Sequence, residues 1–323
     1  MRHSLKSVAK LAGVSPATVS LSLRGDSRVA DKTRKRIVTL AAELDYVPNN
    51  LGRALQAARS SLVGFLIPTL SHSYFNEILE GCGSFASEYG YGVLVAMPSG
   101  KLSEHSNALR MFQEKRVDGV ILATHHPESF PEIQRMRSRG MPVVFASSGP
   151  GSIIAPLVKN DDIMTGRIAA EHLLSLNHTN IAYCHAATSD HERFSGALEA
   201  CLNAEATCRR FTNEKAFLSL LDSPEPPTAV IAYSDDIAIS LVGALNNIGL
   251  SVPEDVSIVG VDDSPVASLP AYNLTTVAPR KREIGKLALK LILQELAGET
   301  AESRLLPPDL IVRSSTAPNQ KKT

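Results

Sequence analysis

Val14-Ser15-Pro16-Ala17-Thr18-Val19-Ser20 decides how the chain begins. Ser15 stands where a helix wants its N-cap, and Pro16 takes the first helical position, where a missing N–H costs nothing. Just upstream, Ser4 followed by Leu5, Val8, Ala9 and Leu11 predicts another short helix, capped by Ser4 and running to about Ala12. Gly13 ends it, so two helices share a tight corner. Ala9 is small where they touch, Gly13 is free to take positive φ at the turn, and Val19 is a branched apolar plug. That is the pattern of a helix-turn-helix. After the loop Arg24-Gly25-Asp26-Ser27-Arg28, Asp31 is expected to cap a third helix. Ile37, Leu40, Ala41 and Leu44 would face inward there, with Lys32, Arg34, Lys35 and Arg36 outward, a cluster suited to phosphate contact.

Working outward, the charge is segregated. Residues 1–60 hold 11 Lys and Arg against Asp26, Asp31, Glu43 and Asp45, a balance of +7, while the remainder holds 22 against 29, or −7. A basic head on an acidic body points to a small polyanion-binding module attached to a domain with a different task; the alternative is a solvated face. A length of 323 residues implies two or three compact units, and 44% hydrophobic with 20% charged residues excludes a disordered or fibrous chain. No window approaches about 18 uninterrupted apolar residues, and Met1-Arg2-His3-Ser4 leads into a charged amphipathic stretch, so a cytoplasmic protein with no membrane partner is expected. Cys82, Cys184, Cys201 and Cys208 show no CxxC spacing, and neither metal nor cofactor is expected.

From Ser61 onward, apolar runs alternate with amphipathic helical stretches: Leu62 to Ile67, Tyr91 to Ala96, Gly119 to Ala123, Pro142 to Ala146, Asn180 to Tyr183, Ala229 to Tyr233 and Val256 to Val261. Such runs suit buried parallel strands, whose crossovers are right-handed helices, so the class is doubly wound α/β. At least that many strands exceed one comfortable core, which implies two lobes.

The run from Val8-Ala9 through Gly13-Val14-Ser15, Thr18-Val19-Ser20 and Tyr46-Val47-Pro48-Asn49 resembles the head of the LacI/GalR family of bacterial transcription regulators. The resemblance continues through Arg116-Val117-Asp118-Gly119, Asp161-Asp162 with Gly166, Arg193 with Gly196, Pro227-Thr228-Ala229, Asp235, Val252-Pro253, Gly260 to Asp263 and Leu274-Thr275-Thr276-Val277. It implies an all-α helix-turn-helix head over residues 1–48, a hinge helix or linker over 49–60, and an α/β body over 61–323 similar to periplasmic binding proteins. The body would consist of two lobes, 61–158 with 280–323, and 159–279. It further implies a ligand-responsive regulator, a repressor, that binds a pseudo-palindromic operator in double-stranded DNA as a homodimer. A small-molecule effector, a sugar, sugar derivative or nucleobase-like compound, would occupy the cleft between the lobes.

Carried over by position, the DNA-binding residues are Ser4, Ser15, Pro16, Ala17, Thr18, Ser20, Leu21, Arg24, Arg28, Asn49, Arg53 and Leu55, the last as a wedge that kinks the minor groove. The alternative for Leu55 is packing on the body. The effector residues are Thr69, Tyr74, Phe75, Asp161, Arg193, Ser234, Asp235 and Asp262, a set of acceptors, a planar donor fork and aromatic cover. For Asp161, Asp235 or Asp262 taken singly, a loop or helix cap is the competing role. A closing strand is expected at Val312 to Thr316, and the seven residues after it are too few for a coiled-coil zipper, so a dimer rather than a tetramer is expected.

The chain also departs from the family pattern. Leu21 stands where an arginine able to read guanine is usual, Pro16 and Ala17 offer no side-chain donors, and Gly52 weakens the hinge helix. His72-Ser73 replaces Asn-Pro, Ser234-Asp235 replaces Asn-Asp, and the stretch from Arg193 to Pro227 is short. An enzyme is not expected. Gly81-Cys82-Gly83-Ser84-Phe85-Ala86 matches GxGxxA but falls mid-helix, and Ser189, Asp190 and His191 are merely adjacent, with no G-x-S-x-G elbow. His125-His126 and His172 with His178 read as loop and helix-surface residues. The rival reading is a small-molecule-binding protein without regulation, which would lack the basic head.

Overall fold

The computed structural model describes residues 4–23, 25–46, 59–149, 155–185 and 191–319. It falls into two compact units, Met1–Ser60 and Ser61–Thr323. The expected hinge contacts Asn49, Arg53 and Leu55, together with Arg24, lie outside the described residues.

The first unit contains α1 (Leu5–Ala12), α2 (Pro16–Leu23) and α3 (Asp31–Glu43). Ser4 and Ser7 form a reciprocal capping box: Ser7 N donates to Ser4 Oγ at 3.2 Å and Ser4 N to Ser7 Oγ at 2.7 Å. Gly13 takes φ 62° at the end of α1, and Val14 N closes the turn on Ala9 O at 3.1 Å. Two residues later Ser15 Oγ accepts from Thr18 N at 3.1 Å and caps α2. Val8, Ala9, Ala12, Val19 and Ile37 are buried together, with Leu5, Val14, Leu23, Leu40, Leu44 and Tyr46 around them. The third helix corrects one expectation. Its N-cap is Ala30, with no side-chain capping bond, and Asp31 is the first helical residue, where its negative charge still favours the positive end of the helix dipole.

The second unit is built on two six-stranded sheets of the same plan. The first orders β11 (Arg304–Leu306), β5 (Leu157–Asn160), β4 (Val143–Ala146), β3 (Gly119–Leu122), β1 (Leu62–Leu66) and β2 (Gly92–Ala96), all parallel. The second orders β12 (Asp309–Ile311), β10 (Thr275–Ala278), β9 (Ser257–Val261), β8 (Ala229–Ala232), β6 (Asn180–Cys184) and β7 (Thr207–Phe211), with only β12 antiparallel. Alternate residues of a strand enter opposite cores, as the two-residue period of a strand requires. Phe65 joins Ile78, Cys82, Ile284 and Leu289, which belong to α4 (Ser73–Glu88) and α11 (Lys281–Leu296). Leu66 joins Leu109, Phe112 and Ile133, from α5 (Leu102–Glu114) and α6 (Phe130–Ser138). In lobe two, Tyr183 packs with Leu173 and Cys201 of α7 (Asp162–Ser175) and α8 (His191–Asn203). Its neighbour Cys184 packs with Phe217 and Leu241 of α9 (Glu214–Leu221) and α10 (Asp235–Asn247).

In each lobe one helix pair is held backbone to backbone by glycines. A Cβ built on Gly166 of α7 would lie 1.7 Å from Arg193 O of α8, and one on Gly196 of α8 would lie 1.9 Å from Ile163 O of α7. Gly81 of α4 and Gly285 of α11 repeat the arrangement in lobe one, at 2.0 Å from Arg282 O and 1.8 Å from Ile78 O. The GxGxxA match at Gly81 is therefore a helix-packing feature of α4, in keeping with its expected mid-helix place.

The end of the chain divides differently from the expected lobe boundaries. The helix α11 and strand β11 stay with lobe one, but β12 pairs with β10, Ile258 N donates to Ser315 O at 2.8 Å, and Ser315 Oγ donates to Ile258 O at 2.6 Å. Residues 309–319 thus belong to lobe two rather than lobe one. The closing strand is Asp309–Ile311, three residues upstream of the expected segment, because Ser315 and Thr316 use their hydroxyls on Thr275 instead of extending a ladder. His178 is likewise no surface residue: it is 3% exposed and bridges Thr228 Oγ1 at 2.9 Å to Ala317 O at 3.0 Å. His172 meets Thr316 Oγ1 at 2.9 Å.

Candidate functional site

On the head, α2 presents a donor-poor surface. Ser15, Pro16 and Ala17 are exposed, Thr18, Ser20 and Leu21 half-buried, and Val19 and Ser22 face the core. The Thr18 hydroxyl is 2.9 Å from Ser15 Oγ, so both serve the cap as well as the surface. Of the basic cluster on α3, Lys32, Lys35 and Arg36 are exposed; Arg34 pairs with Asp31, and Arg36 also donates from Nη2 to Ala12 O at 2.8 Å, tying α3 to the end of α1. Arg28 forms a fork with Asp26, Nε to Oδ1 at 2.9 Å and Nη2 to Oδ2 at 2.8 Å, yet stays 73% exposed.

In the body, strand order reverses between β1 and β3 in lobe one and between β6 and β8 in lobe two. Doubly wound sheets bind ligands in the crevice at the carboxyl ends of strands at such a switch point. The loop after β1 brings Tyr74 and Phe75 onto the first turn of α4, with ring centroids 5.2 Å apart at 86°. Tyr74 Oη is 2.8 Å from Ser147 Oγ, which follows β4. From lobe two, Arg193 donates from Nε to Asp162 Oδ1 at 2.8 Å and from Nη1 to Tyr233 O at 2.7 Å, its guanidinium 4.5 Å from the Tyr233 ring centroid. The geometry follows from the glycines: Gly166 and Gly196 bring α7 and α8 close enough for the first residue of one to meet the third residue of the other.

These groups also act on one another electrostatically. The Tyr74 phenol is raised above its ordinary range, chiefly by burial, and it also feels Asp162, Asp262 and Arg193. Burial alone would lower the Arg193 guanidinium, but Asp162, with Asp262 behind it, raises it, so Arg193 is a permanent cation. Asp262 is 6% exposed; burial pushes its carboxyl up to about 8 against the opposing pull of Arg193. Its backbone has φ 116°, a region that non-glycine residues occupy only when their surroundings enforce it. Two further buried nitrogens, His72 Nδ1 and His125 Nδ1, have no hydrogen-bond partner in the described chain and follow β1 and β3 at the switch point of lobe one. His72 Nε2 reaches across to Asp236 Oδ2 of lobe two at 3.4 Å.

The remaining expected site residues have structural partners. Thr69 Oγ1 accepts from Ser71 N at 3.0 Å. Asp161 caps α7 by accepting from Met164 N at 2.9 Å, leaving the next carboxylate, Asp162, for Arg193. Ser234 caps α10. Asp235 is 1% exposed, and both its oxygens are taken, Oδ1 by Thr276 Oγ1 at 2.7 Å and Oδ2 by Ser264 N at 2.7 Å. It orders the turn that carries Asp262. Ser147, Asp162, Tyr233 and Lys281 are the residues that sequence reading passed over. Capping logic could have found Asp162, since a cap at Asp161 leaves its neighbour at the first helical position with a free carboxylate.

Residues 4–49 match the sequence family of bacterial regulatory proteins of the lacI type, and residues 170–316 match a periplasmic binding protein-like domain. The chain is 30% identical to the HTH-type transcriptional regulator DegA of Bacillus subtilis (strain 168), over 98% of this chain and 99% of that protein. It is 29% identical to the HTH-type transcriptional repressor PurR of Vibrio atlanticus (strain LGP32), over 97% and 98%. Among solved structures, the Lac repressor dimer bound to operator and the anti-inducer ONPF matches with a TM-score of 0.85 at 26% identity, covering 98% of this chain and 100% of that one. The regulator CelR in complex with cellobiose matches at 0.71 and 29% identity, over 97% and 100%. With a relative at this identity spanning both chains end to end, the protein belongs to the LacI family of bacterial regulatory proteins.

Proposed function

We propose that the chain is a ligand-responsive transcription repressor that binds a two-fold operator as a dimer and takes a small effector into the interlobe cleft. The observation that carries this reading is the joining of a basic three-helix head to a body in which Tyr74 of lobe one lies within electrostatic reach of Arg193, Asp162 and Asp262 of lobe two. In it, the exposed face of α2 reads the major groove, using Ser15, Pro16, Ala17, Thr18, Ser20 and Leu21 for methyl and shape readout more than for hydrogen bonding. Ser4, Arg24 and Arg28 contact phosphates, and residues 49–60, with Asn49, Arg53 and Leu55, engage the minor groove. A repressor relative matched over nearly its whole length and a related regulator solved with cellobiose support both halves of the reading. The protein works in the cytoplasm, where operator DNA is.

Tyr74 and Phe75 offer an aromatic wall, Arg193 a donor fork and Asp262 an acceptor, a set that fits a polyol or a nucleobase. Thr69, Asp161, Ser234 and Asp235 shape the loops and helix ends around it. The test is to select a duplex from a random-sequence pool with the full chain, then titrate the complex with ribose, cellobiose, hypoxanthine and adenosine. Release or tightening by one compound supports the reading. A chain that selects no duplex defeats it.

A further inference from the structure

Lys281 is the first residue of α11, the helix by which the chain returns from lobe two to lobe one, and it is only 5% exposed. A buried ammonium is costly unless its protons are all bonded. Here Nζ donates to Glu77 Oε1 at 2.6 Å, to Asp262 O at 2.5 Å and to Asp263 O at 3.4 Å. The first acceptor belongs to α4 of lobe one, and the other two belong to the turn of lobe two that presents the Asp262 carboxyl.

That turn is strained. Asp262 has φ 116° and Asp263 φ 46°, and neither is glycine. Several contacts hold it: Asp262 N donates to Val277 O at 3.0 Å, Asp263 N to Thr276 Oγ1 at 3.2 Å, Ser264 N to Asp235 Oδ2 at 2.7 Å, and Arg313 Nη2 to Asp263 Oδ1 at 2.6 Å. All of these come from lobe two. Lys281 is the member of the set that reaches the turn from lobe one.

We infer that Lys281 is a positioning residue that couples the two lobes to the effector site: from lobe one it clamps the Asp262–Asp263 turn in the positive-φ conformation that aims the Asp262 carboxyl at Arg193. The inference rests on the reading of the cleft as the effector site. It supplies a physical link for the response, because a movement of α11 and α4 relative to lobe two must lengthen these carbonyl contacts and release the turn. Glu77 anchors the other side of the ammonium, so the clamp is a three-part strut, Glu77 to Lys281 to the turn.

The test uses the full chain as wild type, Lys281→Met and Lys281→Arg, compared by hydrogen–deuterium exchange. Peptides covering residues 257–265 report the turn, and peptides covering 229–232 report the core as control. In Lys281→Met the amides of residues 262–264 are expected to exchange about 10-fold faster or more, with the control unchanged and the arginine variant closer to wild type. A second readout, which a merely space-filling side chain would not move, is the Asp262 titration followed by carboxyl NMR and assigned with Asp262→Asn. The nearby cation holds that carboxyl down, so its midpoint should rise in Lys281→Met. Unchanged exchange at 262–264 overturns the inference, and so does equal acceleration throughout the body. Should Lys281→Met not fold, Glu77→Gln is read in the same way, with faster exchange at 262–264 expected and none overturning the inference. Operator selection by the wild type is scored separately: its failure defeats the functional reading and leaves the exchange result on Lys281 standing.

Discussion

Arg193 and Asp162 form a side-on ion pair, Nε and Nη2 each 2.8 Å from the same Oδ1, while the adjacent Asp161 gives its carboxylate to the backbone of Met164. Two neighbouring aspartates thus have separable roles. Asp161→Ala is expected to cost about 1 kcal/mol of stability through a lost helix cap and to leave effector affinity near wild type. Asp162→Ala should weaken effector binding by about 10-fold or more, because a charged hydrogen bond of about 1.5 to 3 kcal/mol no longer orients the guanidinium. Chemical denaturation and calorimetry with the identified effector measure the two separately, and equal behaviour of the variants would contradict the assignment.

Asp262 makes stability depend on pH with a definite sign. Its carboxyl, ordinarily at 3.8, is pushed up to about 8 by burial, so between those values the folded chain holds a proton that the unfolded chain has lost. Stability contributed by this group is complete below about pH 4 and is lost as pH rises through 8. Asp262→Asn should therefore gain melting temperature over wild type most at pH 8 to 9. A difference that is flat from pH 5 to 9 would show that Asp262 is ionised throughout.

Two histidines act in the opposite direction. His172 and His178, which clasp the chain end, are both held below the usual imidazole value of 6.5, first by burial. The unfolded chain therefore takes up protons before the folded one does, and stability falls as pH drops below about 6.5. The paired change His172→Gln with His178→Gln should flatten the loss of melting temperature between pH 7 and 5.5. A slope unchanged in that variant would locate the acid sensitivity elsewhere.

Local signals carried the parts of the fold that were legible in the sequence. Ser4, Gly13, Ser15 and Pro16 mark helix ends by chemistry that acts within four residues, and the structure has α1 and α2 at those boundaries. Leu62 to Ile67 and Ala229 to Tyr233 read as strands because the runs are apolar throughout, and the strands Leu62–Leu66 and Ala229–Ala232 form within them, buried on both faces. The strand β7, Thr207–Phe211, escaped notice because it is a sheet edge whose residues Thr207 and Arg210 stay exposed, so no apolar run appears. β12 was expected three residues too late for another reason: its three residues gain a strand only by pairing with Thr276 to Ala278, a contact no local pattern encodes. The same holds for the proposed site. Arg193 and Asp262 were candidates by resemblance, whereas Ser147, Tyr233 and Lys281 come beside Tyr74, Arg193 and the Asp262–Asp263 turn through packing of distant segments.

The glycine contacts between helices predict a graded response to one methyl group. In Gly166→Ala the new Cβ would sit 1.7 Å from the Arg193 carbonyl, so α7 and α8 must separate, at a cost of about 1 to 3 kcal/mol. The same movement displaces Arg193 from Asp162, so effector affinity should fall with stability. Gly83→Ala in α4 is the control. Nothing lies within 4 Å of its Cβ, and the gain in helix propensity should stabilise the body by up to about 1 kcal/mol. Similar destabilisation by both changes would mean that the close helix contact does not exist in solution.

Exposed charges on the head should set the salt dependence of operator binding, and the structure separates those free to do so from one that is not. Lys32 and Lys35 are exposed on α3, and Lys6 and Lys10 on α1. Each lysine that neutralises a phosphate adds about −0.9 to the slope of log affinity against log salt, so Lys35→Ala should reduce that slope by about 0.9 and weaken operator and random DNA alike. Arg36 has the same charge but donates to Ala12 O, which lacks an intrahelical partner at the end of α1. Arg36→Met is therefore expected to lower the melting temperature of the head while changing the salt slope less than Lys35→Ala does. Leu21→Arg supplies the third arm, since a guanidinium there can read guanine and should shift sequence preference at one operator position by about 1 to 3 kcal/mol without altering head stability. Fluorescence anisotropy at salt concentrations from about 50 to 200 mM measures all three. A larger slope change from Arg36→Met than from Lys35→Ala would reverse the assignment, placing the guanidinium on phosphate and not on the helix end.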